Sequence, residues 1–504
     1  MTAIEFNHSR DMKLFWTCFV ALSTTSFGFI LRALTLPEWG REFNLTNTQI
    51  GEIAGVGLWP FAISIVLFSL IIDRVGYKTV MMFGFVCHLT SAVLTYFASG
   101  YWMLFVATFL VAIGNGTVEA VVNPVVATMF PREKTKWLNI LHAAWPGGLL
   151  LGGILALMSG DDTNWKLKMI LILLPTLSYG GLMWMRAFPV NERVKAGVSY
   201  MEMLREVGII GALVVTTLIV FEIGSIFTLP LYVNLILISI LVSYFAYHVR
   251  SLGQPIFFLL MLLMFPLAIT ELGTDSWISE LMAPEMKRMG LQAGWILVYT
   301  SSIMAVLRLF AGQIVHRISP LALLAVSSAI ACVGLILFSV SDGAMILAAA
   351  TLFAFGKTFF WPTMLGVVSE RFPKGGALTL NITGGVGMMA AGVIGAVILG
   401  FLQDTTIDRR LREDEPVLHA TYATQEKSSI FGTYRSLDGA RLSAADSSDL
   451  EKVIVIQNAA KKEALRSVAV FPVIMLVAYI SLIVYYSSTG GYKPLLLETQ
   501  EAKA

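Results

Sequence analysis

The sequence predicts an all-α membrane protein made of two six-helix halves with two further helices inserted between them. Three observations point there: a composition too apolar for a water-facing surface, fourteen runs long enough to cross a bilayer, and a repeat that maps the first six runs onto the last six. Hydrophobic residues fill 56% of the 504 positions and charged residues only 13%, and the mean hydropathy is +0.75. Soluble domains carry about 25% charged residues to make a polar surface, so lipid is the solvent that fits this chain. A net charge of +2, with no basic patch interleaved with aromatics, argues against a nucleic-acid partner. Cys18, Cys87 and Cys332 stand inside apolar runs at unrelated spacings and read as small core residues, not as disulfides or metal ligands.

A helix needs roughly 20 apolar residues to span the hydrocarbon core. After a polar start, Met1 to Lys13, such runs lie at 14–37, 47–72, 79–99, 102–130, 138–159 and 168–188. The first is too long for a signal-peptide core and lacks a small-residue cleavage pattern, so it is expected to remain as a span. These six form an N-terminal half, 1–190. The stretch 191–254 is a linker carrying two more runs, 207–223 and 228–248. The C-terminal half, 255–504, holds runs at 255–283, 292–315, 320–340, 344–370, 376–402 and 467–487, with a polar segment, 403–466, before the last. Basic residues of short loops (Arg10, Lys13, Arg74, Lys78, Arg132, Lys134, Lys136, Arg193, Lys195, Arg205, Arg250, Arg317, Arg371, Lys374) gather on one side, with Arg41, Lys166 and Lys168 the main exceptions on the other, which predicts cytoplasmic termini and an extracytoplasmic 403–466. Its mixed charges suit a solvated loop with one helix near 446–465.

The repeat is ungapped over a long stretch. At one constant offset Gly114 falls on Gly356, Val125 on Val367 and Phe130-Pro131 on Phe372-Pro373. The same offset carries Leu138-Asn139-Ile140 onto Leu380-Asn381-Ile382 and Gly153 onto Gly395. Upstream, SLIIDR at 69–74 matches GQIVHR at 312–317, one residue out of that register. Parallel halves related about the membrane normal are the architecture of the major facilitators. The stretch Asp73-Arg74-Val75-Gly76-Tyr77-Lys78 resembles that superfamily's D-R-x-G-x-K loop signature, with Ser69 where a glycine is expected. An ordinary polar turn is the simpler alternative. Beside the repeat, the resemblance implies a cytoplasmic gate of Asp73, Arg74, Gly76 and Lys78, with Arg317 at the equivalent place.

Leu36-Pro37 followed by Phe43-Asn44-Leu45-Thr46-Asn47-Thr48-Gln49, Glu119-Ala-Val-Val-Asn123-Pro124, Leu138-Asn139 and Trp361-Pro362-Thr363 together carry a narrower resemblance, to the fucose:proton symporter family of sugar transporters. It covers roughly 15–188 and 255–402, and the E-x-x-x-N-P block is its specific part. The resemblance implies alternating access and a sugar-like solute bound near the bilayer midplane. It also implies a role for Glu119 in proton coupling.

Ionisable groups near mid-bilayer cost on the order of 3 kcal/mol unless compensated, so each is a functional candidate. Glu119 and Lys357 lie mid-run in repeat-equivalent helices and are expected to face one another across a central cavity, although a structural salt bridge would look the same. Asn123 is one turn beyond Glu119 on the same face and offers donors and an acceptor. Asn139, His142 and Trp145 share a face, with His142 and Trp145 standing where the symporter family tends to carry Gln and Asn. Glu271 and Asp275 are four apart, the second expected at the cavity's outer rim with Trp277 nearby. Trp361 offers a flat surface for a sugar ring, and Asn381 mirrors Asn139 in the repeat. The substrate-binding set is therefore Asn123, Asn139, His142, Trp145, Glu271, Asp275, Trp277, Lys357, Trp361 and Asn381, with Glu119 and Glu271 as proton-coupling groups.

The symporter family's protonatable Asp on helix one is replaced by Ala33, beside Arg32, so a two-acid relay does not carry over intact. Either Glu119 works alone, Glu271 substitutes, or the protein is a uniporter. No G-x-x-x-x-G-K-[ST] and no H-E-x-x-H is present, so neither nucleotide hydrolysis nor intramembrane proteolysis is expected, and the chain reads as a carrier without cofactor or metal. The expected partners are a small-molecule substrate, most simply a sugar, protons and the lipid bilayer. A monomer in a bacterial inner membrane is the expected form. Glu119 and Glu271 make an anionic substrate less comfortable, while Lys357 and Arg308 leave an organic acid or drug open, and a sensor that kept the fold without turnover is the alternative from another class.

Overall fold

The computed structural model describes residues 8–45, 47–160, 163–424, 426–429, 431–438, 441–442 and 444–497. Twelve of its helices are long and apolar enough to cross a membrane. They are α1 (Met12–Glu42), α2 (Gln49–Val75), α3 (Tyr77–Tyr96), α4 (Tyr101–Met129), α5 (Lys134–Met158), α6 (Trp165–Trp184), α7 (Tyr200–Ile226), α8 (Leu231–Val249), α9 (Pro255–Gly273), α11 (Pro320–Val340), α12 (Met345–Arg371) and α14 (Ser447–Ser488). The two remaining predicted runs are helical as well. One is α10 (Trp295–Leu309), of 15 residues. The other is α13 (Gly376–Met389), which passes through a π-turn, Ala390–Gly395, into a continuation, Ala396–Asp414.

Local chemistry sets several of the boundaries. Gly76 separates α2 from α3 and adopts φ +90°, a left-handed conformation that costs a Cβ-bearing residue. Ser199 opens α7 with a reciprocal capping box to Glu202, and Gly208 at φ +64° breaks it, so the apolar run from 207 continues as a second helical stretch beyond the kink. π-Turns form where a helix carries an extra residue per turn, often at functional positions. One, Ile269–Gly273, follows the α-helical part of α9 and contains Glu271; it packs against the π-turn that ends α13.

Helices pack first with their near neighbours: α1 with α5 and α6, α2 with α4, α3 with α4, and α11 with α12 and α14. A second set of contacts joins the N-terminal six to the C-terminal six. In it α2 runs against α13, and α5 against α10 and α12. The inserted hairpin α7–α8 lies beside α9 and α13 through α7. Along α8 the large side chains Leu231, Tyr232, Ile240, Tyr244 and Tyr247 are exposed, as a lipid-facing helix requires.

Segment 403–466 holds more structure than one helix. The α13 continuation projects to Asp414, and a short helix, Pro416–Tyr422, and a hairpin of β1 (Lys427–Ser429) and β2 (Gly432–Tyr434) follow. The first part of α14, Ser447–Val468, closes the unit. Leu411, Leu418, Tyr422, Val453 and Ile456 give it a small core of its own.

Candidate functional site

Between the two sets of six helices lie two adjoining voids that share Trp145, Leu272 and Met388 in their walls. The larger, about 720 Å³, is walled by Phe29, Phe61, Leu149 and Leu297 and is mostly apolar, with Asn115 and Asp275 as its polar side chains. It also touches Gly57 and Leu58, in the part of α2 far from Asp73, so it lies toward the opposite end of the bundle. The smaller, about 290 Å³, is the polar floor: Glu119, His142, Glu271, Arg308 and Trp361 converge there. Each of these five is at most 5% exposed. Trp145 stands between Phe61 and Phe29, with ring centroids 6.3 and 6.4 Å away.

Arg308 organises the floor, and three prolines explain much of its geometry. A proline inside a helix cannot donate to the carbonyl four residues back, which leaves that oxygen free. Pro146 removes one donor to the carbonyl of His142, which accepts from the backbone N–H of Trp145 at 3.3 Å and from Arg308 Nη1 at 3.0 Å. Pro362 releases the carbonyl of Thr358, and Arg308 Nε donates to it at 2.6 Å. Its third arm, Nη2, donates to Glu271 Oε1 at 2.8 Å. Pro124 releases the carbonyl of Ala120, which accepts from Asn381 Nδ2 at 3.0 Å. One guanidinium thus ties α5 to α12 and to the π-turn that ends α9. Glu271 is held from its other oxygen by the backbone N–H of Trp361 at 3.3 Å.

Glu119 has a different environment. Its side-chain partners are Asn123 and Trp361, and no cation pairs with it among the described residues. The expectation that Lys357 faces Glu119 is corrected: Lys357 is fully buried and forms an ion pair with Asp275, one helix over in the same set of six. It lines neither void. The acid there, Asp275, does line the larger one.

The amides are less free than a sugar site needs. Asn123 Oδ1 is 2.8 Å from His142 Nε2. Asn139 Nδ2 donates to the carbonyl of Thr135 at 2.8 Å and to Thr363 Oγ1 at 3.1 Å. Asn381 is committed to Ala120. None of the three is in the wall of either void, because interhelical bonding wins where a polar group is surrounded by apolar packing. Of the expected binding set, then, His142, Trp145, Glu271, Asp275 and Trp361 reach a void, and Asn123, Asn139, Lys357 and Asn381 support the walls. The side chain of Trp277 lies outside the described residues. Arg308 and Asn115 complete the lining and were absent from the expected set. For Arg308 the available signal was a cation inside an apolar run, the same argument that selected Lys357.

At the Asp73 end the bundle is sealed by polar contacts. Asp73 pairs with Arg193 at 2.5 Å, both nearly buried. Lys134 pairs with Glu192 at 2.7 Å and donates to the carbonyl of Ser369 at 3.2 Å. Glu370 Oε1 accepts from Thr135 Oγ1 at 2.6 Å, and Glu370 Oε2 accepts from Tyr492 Oη at 2.8 Å. The approach is so close that a Cβ on Gly366 would lie 2.3 Å from Thr135 Oγ1. Of the expected gate, Arg74 lies over the Tyr200 ring at 4.9 Å and Lys78 donates to the carbonyl of Trp184 at 2.9 Å. The side chain of Arg317 is exposed and has no ion-pair partner among the described residues. Asp73 pairs with a residue just beyond α6.

Comparison with known proteins agrees with this architecture. The crystal structure of the E. coli fucose:proton symporter superposes on 92% of this chain and 99% of its own, with a TM-score of 0.58 at 15% identity. That of the human organic anion transporter TETRAN covers 93% and 99%, with a TM-score of 0.62 at 12% identity. At such identities the likeness is one of fold. Among curated proteins, the gentisate transporter of Corynebacterium glutamicum is 24% identical over 186 residues, 36% of this chain and 40% of its own. A probable chloroplastic anion transporter of Arabidopsis thaliana is 29% identical over 157 residues, 31% of this chain and 29% of its own. The chain therefore matches two-fifths or less of the length of these relatives. The family model of the Major Facilitator Superfamily matches residues 16–396, most of the chain. With its helix pairing, its central void and its Asp73 loop, the chain belongs to the Major Facilitator Superfamily and is a multi-pass membrane protein.

Proposed function

We propose that the protein carries a small organic acid with a flat apolar body across the bacterial inner membrane, together with a proton, by alternating access. In this reading residues 1–190 and 255–504 are the two halves that rock about the cavity, 191–254 is an added hairpin outside the transport path, and both termini are cytoplasmic. The protein works as a monomer.

The observation that carries the reading is Arg308, a cation in the polar floor beneath an aromatic vestibule, held by two carbonyls and one carboxylate. A ring enters against Trp145 and Phe61, and its carboxylate displaces Glu271 from Arg308 Nη2. A second anion beside one guanidinium is costly at low dielectric. The displaced Glu271, or the unpaired Glu119, therefore takes up a proton. One carboxylate enters with one proton, and the net charge of the cavity is unchanged. Commitment of Asn123, Asn139 and Asn381 to helix contacts leaves few amides for sugar hydroxyls. The names of the curated relatives, gentisate and anion transporters, support an acid as cargo.

Proteoliposomes given labelled benzoate, nicotinate, gentisate or fucose, with and without an acidic exterior, test the proposal. Accumulation of at least one aromatic carboxylate, enhanced by the pH gradient and competed by the unlabelled acid, is the expected result. Accumulation of fucose but none of the acids would move the cargo back to sugars. Binding without flux of any of the four would indicate a sensor.

A further inference from the structure

At the end of the bundle opposite Asp73, an open groove of about 1350 Å³ runs between the α13 continuation, α11 and α14. Four cations line it, Arg409 and Arg410 from α13 and Lys462 and Arg466 from α14, against one acid, Glu463. Glu463 is shared: Oε1 accepts from Arg409 at 2.5 Å and Oε2 from Arg410 at 3.0 Å. Lys462 pairs with Asp342. Arg466 is exposed and has no ion-pair partner among the described residues. Each guanidinium keeps N–H groups that these carboxylates do not use.

The groove's floor locates it relative to the bilayer. Val340, the last residue of the apolar helix α11, and Val470, the first of the apolar stretch of α14, both line it. From that level an exposed apolar track descends along two adjacent helices: Ile336 and Val333 on α11, and Val473, Ile474 and Val477 on α14. Cations gathered at the water boundary above a paired apolar track are what a lipid with a negative headgroup requires. The headgroup takes the charges, and the acyl chains lie on the track. A free phosphate would use the cations alone and leave the track without purpose.

We infer that this groove is a binding site for an anionic phospholipid, its phosphate held by Arg410 and Arg466 with Arg409 and Lys462 beside them. The lipid bridges the α13 continuation to α14 and so holds the 403–466 unit against the membrane surface. The inference is independent of the transported solute.

The test uses the full-length protein in neutral detergent, titrated with phosphatidylglycerol, with phosphatidylcholine, or with inorganic phosphate. Bound lipid is read by native mass spectrometry and by the shift in thermal midpoint. Phosphatidylglycerol is expected to bind and stabilise, with phosphatidylcholine and phosphate having little effect. The double variant Arg410→Gln/Arg466→Gln should bind roughly 30-fold more weakly, since each basic residue near a membrane surface contributes about a factor of five or more. Glu463→Gln removes the competing carboxylate and should tighten binding, which keeps the test decisive if the double variant folds poorly. Equal binding of phosphatidylcholine, an unchanged affinity in Glu463→Gln, or a matching shift with phosphate alone would each overturn the lipid assignment.

Discussion

Replacing Arg308 by Met keeps the unbranched apolar stem of the side chain but removes every donor. In the intact protein this group satisfies the His142 and Thr358 carbonyls and neutralises Glu271, all in an interior where Arg308 is 1% exposed. The variant leaves one buried carboxylate without its cation, which costs about 3–5 kcal/mol, and the Thr358 carbonyl without a donor, about 1–3 kcal/mol, while the His142 carbonyl keeps the backbone N–H of Trp145. These terms overlap, because Glu271 can protonate, so the charge term sets the scale of the loss. Adding Glu271→Gln removes the stranded charge but not the orphaned Thr358 carbonyl. The double variant should therefore be more stable than Arg308→Met alone, by about 2–3 kcal/mol of coupling. Thermal inactivation and SDS-unfolding curves of the wild type, both singles and the double close the cycle, and uptake of a labelled aromatic acid is measured alongside. Uptake should be lost in all three variants, including the stabilised double. Equal stability of the single and double variants would refute the argument, as would acid uptake by Arg308→Met at the wild-type rate.

Three further outcomes follow from the same geometry. Glu119→Gln keeps the size and most of the hydrogen bonding of a side chain that has no cationic partner; if Glu119 accepts the coupled proton, pH-driven uptake is lost while solute exchange across equal pH persists, and unchanged pH-driven uptake would remove it from the mechanism. In Gly366→Ala the added methyl meets Thr135 Oγ1 at 2.3 Å and Thr135 Cα at 2.8 Å, so α5 and α12 must separate at the sealed end. A loss of about 1–3 kcal/mol in thermal stability is expected, and an unchanged midpoint would contradict the packing. Asp73→Asn removes the charge that holds Arg193 and should raise the labelling rate of a cysteine introduced at buried Ser369; equal labelling would show that the pair does not hold this end shut.

Much of the fold was legible because a membrane helix announces itself by length and apolarity, and all fourteen predicted runs are helices. The exceptions have physical causes. The 292–315 run forms a helix of only 15 residues, and the 376–402 run is interrupted by a π-turn at Ala390–Gly395, which hydropathy does not register. The site was read less well. Cost-of-burial reasoning selected Glu119, Glu271, Asp275 and Lys357 but not which acid meets which cation, because pairing depends on rotation about each helix axis. Lys357 was matched to Glu119 through the repeat, yet Asp275 lies closer on its own side. The prolines of the A-W-P and W-P-T segments carried a clearer message than their tryptophans. Each takes a donor from a carbonyl, and such a carbonyl in an apolar interior calls for another. Counting those two oxygens and looking for a buried group with several N–H arms would have led to Arg308.

The unit at 403–466 is joined to the bundle by two helices that leave the bilayer without a flexible joint: α13 continues through Ala396–Asp414, and Ser447–Val468 runs into Val470–Ser488 with only Ala469 between them. Nineteen residues of helix reach about 28 Å. Any tilt of these two spans during the carrier's cycle is therefore transmitted to its tip as a longer arc, as a pointer magnifies the turn of its spindle. A pair of spin labels, one on the tip and one on the α3–α4 turn, would register the rocking of the bundle as a distance change larger than that at the cavity itself.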